Sequence, residues 1–309
     1  MPTMTQSDIS DQVRQSFPFD VDKFPLRGPD NMNTPFYGLF RSDTLECVGN
    51  SVKEGYEPHT IDDVCALAEA GAEAFGGTHE VRSAWREGHF LTIAPSEDRQ
   101  REMWDEHYQG QMMNRKSDIC IPRLIIRASY DGRAFRAQFG MFRLVCRNLM
   151  SIPVKGKHVS RSIRHTAALR TKMPSLIEDF QTVINQSENI YNAIDNAKQR
   201  QVNMADFIRE VYPINEEASK NARGRAERRV EAIMSRLYRD RNGLGVDVPS
   251  DDGSGIPQTR RATAWEAYNA VQGYVQHDAP RHKNPSQIDR VIMALEDKSV
   301  DKAASLAFA

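Results

Sequence analysis

The stretch LIIRASYDGRAFRAQF, from Leu124 to Phe139, decides the fold of the central part of the chain. Two runs of strand-forming residues flank Asp131-Gly132, a pair that tolerates the positive φ angles of a two-residue β-turn. In an antiparallel hairpin with that turn, Arg127 lies directly opposite Arg136. The sequence therefore predicts a hairpin whose register is fixed by its turn.

Alternation of side chains separates this hairpin into two faces. One face is apolar, and we expect it to form core: Leu124, Ile126, Ala128, Phe135, Ala137, Phe139 and Met141. The second face is basic and polar, and we expect it to be exposed: Arg123, Ile125, Arg127, Ser129, Ala134, Arg136 and Gln138. Like charges directly opposite each other repel mildly across a strand pair, so the paired arginines need either open solvent or an anionic ligand.

The basic residues of the chain are concentrated in one segment. Residues 115–172 contain 14 lysines and arginines against two acids, a net charge of +12, although the whole chain carries only −1. The remaining residues hold 27 basic and 40 acidic side chains, a net charge of −13. Solvated surfaces normally mix both signs, so this segregation favours a polyanion site. The alternative is that the basic side chains simply extend into water.

Turn and periodicity signals predict an α+β fold, in which a small antiparallel sheet with the basic hairpin packs on a long helix, followed by a mainly helical C-terminal part. Four prolines between residues 18 and 35 predict that residues 1–40 form an extended N-terminal arm. We expect residues 41–200 to form the α+β core, and residues 201–309 a helical region with a mobile loop at 243–258.

Local signals place several elements within this plan. Thr60 is typical of a helix cap, and a further hairpin is expected to turn near Glu87-Gly88. The long helix begins at Pro174, and an apolar stripe follows it with alternating spacings of four and three: Leu176, Phe180, Val183, Ser187, Ile190, Ile194 and Ala197. Two interpretations of this stripe stay open, packing on the chain's own sheet or a seam between subunits.

Several classes of protein are disfavoured by the sequence. No apolar run approaches the roughly 18 residues of a membrane span, and the N-terminus has no apolar signal segment, so we expect a cytoplasmic protein without membrane contact. The four cysteines lack zinc-site spacing, and we expect no metal. Residues 151–158 miss the phosphate-loop pattern at two positions, and no catalytic constellation is present, so we predict neither an enzyme nor a cofactor.

Three segments resemble motifs of a phage/plasmid-like family of unknown function. They are an R-x-V-C-x-N signature after the Asp-Gly turn, a V-G element followed by Y-x-P, and a W-x-x-x-N-A-V-x-x-Y-x-x-H helix. The matching residues are Arg143, Val145, Cys146 and Asn148; Val48, Gly49, Tyr56 and Pro58; and Trp265, Asn269, Ala270, Val271, Tyr274 and His277.

The order of elements is more distantly similar to that of the single-strand annealing proteins of phage and eukaryotic recombination. That resemblance implies a homo-oligomer, a ring or a filament, with single-stranded DNA lying along a basic groove formed by hairpin and helix. We therefore expect a phage- or plasmid-encoded protein of the host cytoplasm that binds single-stranded DNA and promotes annealing without a cofactor.

The basic residues supply the expected nucleic-acid contacts of this groove. Its floor would be formed by Arg123, Arg127, Arg136, Arg143 and Arg147, and its wall by Lys155, Lys157, Arg161, Arg164 and Arg170. Such residues contact phosphates and carry no base specificity. The alternative is a non-enzymatic structural protein that self-assembles, or binds an acidic protein partner, through the same basic segment. A nucleic-acid-processing enzyme is a third, weaker alternative, because it would need clustered acids beside the groove.

Overall fold

The computed structural model describes most of the chain. The described residues are 6–49, 51–75, 79–85, 88–95, 98–100, 102, 120–130, 134–143, 148–150, 153–154, 157–158, 160–172, 174–175, 178, 187–215, 217–244, 260–280 and 287–309. They show the predicted α+β fold, with small antiparallel sheets and a mainly helical C-terminal part. Two compact units are present. Unit 1 comprises Met1–Gly110, Pro122–Gly140 and Val159–Gln186, and unit 2 comprises Gln111–Ile121, Met141–His158 and Ser187–Ala309.

Residues 1–40 are not the extended arm that their prolines suggested. They contain helix α1 (Gln6–Ser16) and strands β1 (Val21–Arg27) and β2 (Asn33–Arg41). Ile9 and Val13 of α1, and Phe17 directly after it, recur every four residues and are buried, which is the pattern of a helix that packs along one face. Strand β1 lies at the edge of its sheet and can therefore contain Pro25.

Helix α2 (Ile61–Ala74) confirms the prediction from Thr60. The Thr60 side chain accepts a hydrogen bond from the Asp63 backbone, and the Asp63 side chain accepts one from the Thr60 backbone, so the two form a capping box. Helix α1 packs on α2. A Cβ atom at Gly71 would lie 2.5 Å from Cδ2 of Leu124, so this glycine lets α2 approach the sheet closely.

Two further sheets are present, and unit 1 holds the first of them and most of the second. Strand β3 (Val52–Lys53) joins β1 and β2 in the order β1-β2-β3. The strands of the larger sheet are β4 (His79–Trp85), β5 (Gly88–Pro95), β6 (Cys120–Ser129), β7 (Phe135–Arg143), β8 (Asn148–Met150) and β11 (Ser160–Ile163). Their order is β11-β7-β6-β5-β4, with β8 paired to residues 141–143 of β7, a part of the sheet that belongs to unit 2. The hairpin β4–β5 is confirmed, as is the pairing of β6 with β7; the Asp131-Gly132 turn lies outside the described residues.

The apolar face of the β6–β7 hairpin is core, as predicted. Its described members are fully or almost fully buried: Leu124, Ile126, Ala128, Phe135 and Ala137. The expectation that the opposite face is open to solvent is wrong for most of its members, because Arg123, Ile125, Ser129 and Gln138 are also buried. Alternation shows that a strand has two different faces, but it does not show whether the polar face is covered.

Unit 2 is built mainly from helices. They are α3 (Ser187–Gln199), α4 (Met204–Val211), α5 (Lys220–Leu244), α6 (Ala264–Gly273) with a π-helical continuation (Tyr274–Asp278), α7 (Gln287–Leu295) and α8 (Lys298–Ala307). Short strand pairs are β9 (Pro153–Val154) with β10 (Lys157–His158), and β12 (Gln201–Asn203) with β13 (Arg261–Thr263). Helix α6 is buried on almost all sides by α3, α4, α5 and α8, so it is the centre of this unit.

The domain boundary differs from the predicted one at residue 200. Unit 2 begins at Ser187, with α3, and also includes Gln111–Ile121 and Met141–His158 from the middle of the chain. Of the apolar stripe, Ile190, Ile194 and Ala197 are buried within this unit, as expected for packing inside the chain. The earlier part of the stripe lies outside the described side chains, as does most of the predicted loop at 243–258.

Candidate anion-binding site

The candidate site lies in unit 1, where the segment around β3 meets the residues that follow β11. A Cβ atom at Gly49 would lie 2.2 Å from the carbonyl oxygen of Tyr130, so only glycine lets the chain pass this close to the end of β6. Beyond β3, the backbone N–H of Glu57 donates to the carbonyl oxygen of His165 at 3.0 Å. These two contacts join segments that are far apart in the sequence.

A cluster of stacked rings forms the base of the site. Nδ1 of His59 and Nε2 of His165 are 3.0 Å apart and share a hydrogen bond, and both rings are buried. His59 stacks on Tyr130 with ring centroids 4.3 Å apart, and His165 stacks on Tyr56 at 4.9 Å. Since one of the two bonded nitrogens must carry the proton and the other must be bare, the pair holds at most one positive charge.

Hydrogen bonds to the backbone fix the two tyrosines of this cluster. The Tyr130 hydroxyl donates to the carbonyl oxygen of His59 at 3.1 Å, and the Tyr56 hydroxyl donates to that of Ser129 at 3.4 Å. Burial raises the pKa of the Tyr130 hydroxyl well above its ordinary value, so this group remains a donor at physiological pH. The rings are therefore held in one arrangement by both stacking and hydrogen bonding.

A cavity of about 410 Å³ lies against two of these residues, Tyr56 and His165, and we call it the β3 cavity. It is lined by Ser51, Val52, Lys53, Gly55, Tyr56, Ala134, Arg164, His165 and Thr166. None of these described lining residues is acidic. The side chains of Lys53 and Arg164 are exposed, and neither forms an ion pair or hydrogen bond with another residue in the described part of the chain. Two cations without an acidic neighbour in the described lining, in a cavity that Ser51 and Thr166 also line, favour an anionic ligand.

Positive charge continues from the cavity along the chain. Residues 160–172 contain no acid, and Arg170 and Lys172 lie exposed on a short helix at 168–172. Neither side chain has an ion-pair partner among the residues that the structure describes. We call four exposed cations of unit 1 the basic surface: Lys53, Arg164, Arg170 and Lys172.

The predicted floor residues differ in burial, and the structure describes the side chains of only some of them. Arg123 is only 4% exposed, and its Nη1 lies 3.5 Å from the Thr92 hydroxyl, so the prediction that Arg123 forms an exposed floor is wrong. Arg127 and Arg136 are half-buried. The side chains of the last two floor residues, Arg143 and Arg147, are outside the part of the chain that the structure describes.

The predicted wall residues are placed in part. Arg164 and Arg170 are exposed, which is compatible with the predicted role. The side chains of Lys155, Lys157 and Arg161 lie outside the described part of the chain. The structure therefore shows that Arg164 and Arg170 are exposed, and the groove itself stays a prediction.

Sequence reasoning missed Lys53, His59 and His165 as members of one site. His59 and His165 are separated by 106 residues, and no local spacing indicates such a contact. The available signal was the V-G and Y-x-P motif: Gly49 allows the close approach to Tyr130, and Tyr56 stacks in the ring cluster.

Further observations limit the chemistry of the described residues. Within them, no group of three or more His, Cys, Asp or Glu side chains is placed to hold a metal ion. Cys65 and Cys120 are buried free thiols, whereas Cys47 is exposed. No described helix combines the length and the apolar character that crossing a bilayer requires.

Comparison with known proteins identifies the family. The chain belongs to the family described as Domain of unknown function (DUF932), whose model matches residues 50–305. No curated protein and no solved structure matches the chain. All residues of the β3 cavity lie within the matched range, whereas α1, β1 and β2 precede it. Because the family description carries no activity, function has to be argued from the site.

Proposed function

We propose that this member of the DUF932 family is a non-enzymatic protein that binds single-stranded DNA and promotes the annealing of complementary strands without a cofactor. The observation that carries this proposal is the basic surface. Its four cations are exposed and have no ion-pair partner among the described residues. Exposed cations without ion-pair partners bind a phosphate backbone by releasing its counterions, and they do so without reading the base sequence.

A second observation favours a single strand over a duplex. Phe24 and Phe36 are 45% and 43% exposed on the outer face of the β1-β2-β3 sheet. Phe36 pairs directly with Lys53 of β3, so an exposed ring lies beside a member of the basic surface. Proteins that bind single strands combine cations that follow the backbone with aromatic rings on which bases stack, whereas the bases of a duplex are already stacked on each other.

Annealing follows from this mode of binding and needs no catalytic residue. A strand held extended by its backbone has lost part of the entropy that pairing would otherwise cost. The proposal includes assembly into a ring or filament, and a phage- or plasmid-encoded protein acting in the host cytoplasm, both supported by the resemblance to annealing proteins. The wall residues Lys155, Lys157 and Arg161 would extend the basic surface.

Fluorescence anisotropy with single- and double-stranded oligonucleotides of the same length tests the proposal. We expect tighter binding of the single strand, with affinity that falls steeply as salt rises. Complementary labelled strands should also anneal faster with the protein than without it. Absence of binding at low salt would contradict the proposal and favour the alternative, a protein whose basic segment meets an acidic protein partner or a second copy.

A further inference from the structure

We infer that the β3 cavity binds the phosphate monoester of a nucleotide, either at the phosphorylated end of a strand or as a free mononucleotide. The strand-end case rests on the proposed function; the mononucleotide case does not. This assigns the cavity a different task from the rest of the basic surface, which contacts phosphates within a strand.

Charge is the first argument for a monoester. A phosphate monoester carries about −1.5 to −2 charges at pH 7, whereas a phosphodiester inside a strand carries about −1. Lys53 and Arg164 both line this one cavity, and none of its described lining residues is acidic. The planar guanidinium of Arg164 suits two phosphate oxygens at once, and Lys53 adds a compact charge. Ser51 and Thr166 offer hydroxyl donors to the remaining oxygen.

Shape is the second argument. A volume of about 410 Å³ lies within the range of roughly 300–1,000 Å³ that is usual for small-molecule sites. It exceeds what a phosphate group alone fills, so it leaves room for an attached sugar. Two of its lining residues, Tyr56 and His165, are buried, so the cavity is bounded on their side by the interior of the unit. A terminal phosphate needs one open side, while a phosphate within a strand needs room for a nucleoside on both sides.

Rigidity of the cavity is the third argument. The hydrogen bond between His59 and His165, the stacking of Tyr56 on His165, and the bond from Glu57 to His165 hold the two walls together. A site whose walls are already fixed loses little conformational entropy when it binds a small ligand. Lys53 and Arg164 are therefore the main groups that become ordered on binding.

Phe36 gives the nucleoside a neighbouring surface. Cross-strand partners such as Phe36 and Lys53 have Cβ atoms about 5 Å apart. A base attached to a phosphate at Lys53 can thus reach the exposed ring of Phe36. Stacking would add affinity for any nucleotide. The selectivity for a monoester over a diester would come from Lys53 and Arg164.

The experiment compares oligonucleotides of one sequence that carry a 5′-phosphate, a 3′-phosphate or no terminal phosphate, and it measures AMP binding by calorimetry. For the native protein we expect about five- to tenfold tighter binding of one phosphorylated end than of the unphosphorylated strand, and measurable binding of AMP. The Lys53→Ala/Arg164→Ala variant should lose both the preference and AMP binding. Both side chains are exposed, so this variant should keep the native melting temperature.

The matched control removes two other cations of the same surface. Arg170→Ala/Lys172→Ala should weaken binding of all three oligonucleotides while keeping the ratio between them. Equal affinities for all three, together with no AMP binding, would overturn the inference and leave the proposed function intact if the strands still bind. Conversely, AMP binding that depends on Lys53 and Arg164, without strand binding, would support the cavity and contradict the proposed function.

Discussion

Replacement of Phe135 by alanine tests the architecture that supports the site. Phe135 is fully buried on the apolar face of β7, and its ring meets that of His59 edge-to-face with centroids 5.6 Å apart. Truncation removes a buried aromatic ring and leaves a cavity beneath the His59–His165 pair. Such changes cost roughly 3–5 kcal/mol when the surroundings cannot collapse, and the hydrogen-bonded rings around Phe135 resist collapse.

Urea denaturation followed by circular dichroism measures this cost, with Arg136→Ala as the control. Arg136 is the next residue on the same strand, points to the opposite face and is half-buried, and we expect its truncation to change stability by less than about 1 kcal/mol. If Phe135→Ala lowers the free energy of unfolding by less than about 1 kcal/mol, the ring does not support the site as argued. The variant should also lose its preference for a phosphorylated strand end, because the base of the β3 cavity is loosened.

Three further predictions concern stability and assembly. Burial by itself raises the pKa of Glu266, but hydrogen bonds from Arg241 and Thr263 outweigh it and hold the pKa below 4.5. The ionised Glu266 therefore stabilises the fold above that pH and loses its contribution as the pH falls. Glu266→Gln should lower the free energy of unfolding by about 3 kcal/mol at pH 7, since buried Arg241 loses its charged partner. The difference from the native protein in urea titrations should shrink as the pH is lowered below 4.5; a pH-independent difference would contradict this. Gly49→Ala should lower the free energy of unfolding by about 1–3 kcal/mol, because the added Cβ would collide with the Tyr130 carbonyl. An unchanged melting temperature would show that the close approach is not needed. Light scattering at micromolar concentration should give a mass well above the 35.1 kDa of one chain, and a monomer with and without DNA would exclude the ring or filament.

Local signals predicted much of the fold. The cap at Thr60 and the hairpin between β4 and β5 depend on residues that are close in sequence, so the sequence contains the whole explanation. The burial of Phe135 followed from alternation along one strand. The prediction of an extended arm at residues 1–40 was wrong because it was based on the prolines alone. It overlooked the apolar residues that recur every four positions in and directly after α1 and are buried.

The candidate site could be predicted only in part, because it depends on long-range contacts. Arg164 and Arg170 were found from charge clustering and are exposed. Lys53 was missed, since its segment meets His165 only through tertiary structure. Arg123 was misplaced because a strand pattern cannot show that the polar face of a sheet is covered by other parts of a chain.

The salt dependence of single-strand binding tests the central claim most directly. Each phosphate neutralised on a single strand contributes about −0.7 to the slope of log affinity against log salt concentration. Arg170→Ala/Lys172→Ala should therefore make the slope shallower by about 1.4. The control Arg223→Ala/Arg225→Ala removes two exposed arginines of α5 and should leave the slope unchanged. Equal slopes for the native protein and both variants, or no binding at low salt, would contradict the claim that the basic surface binds single-stranded DNA.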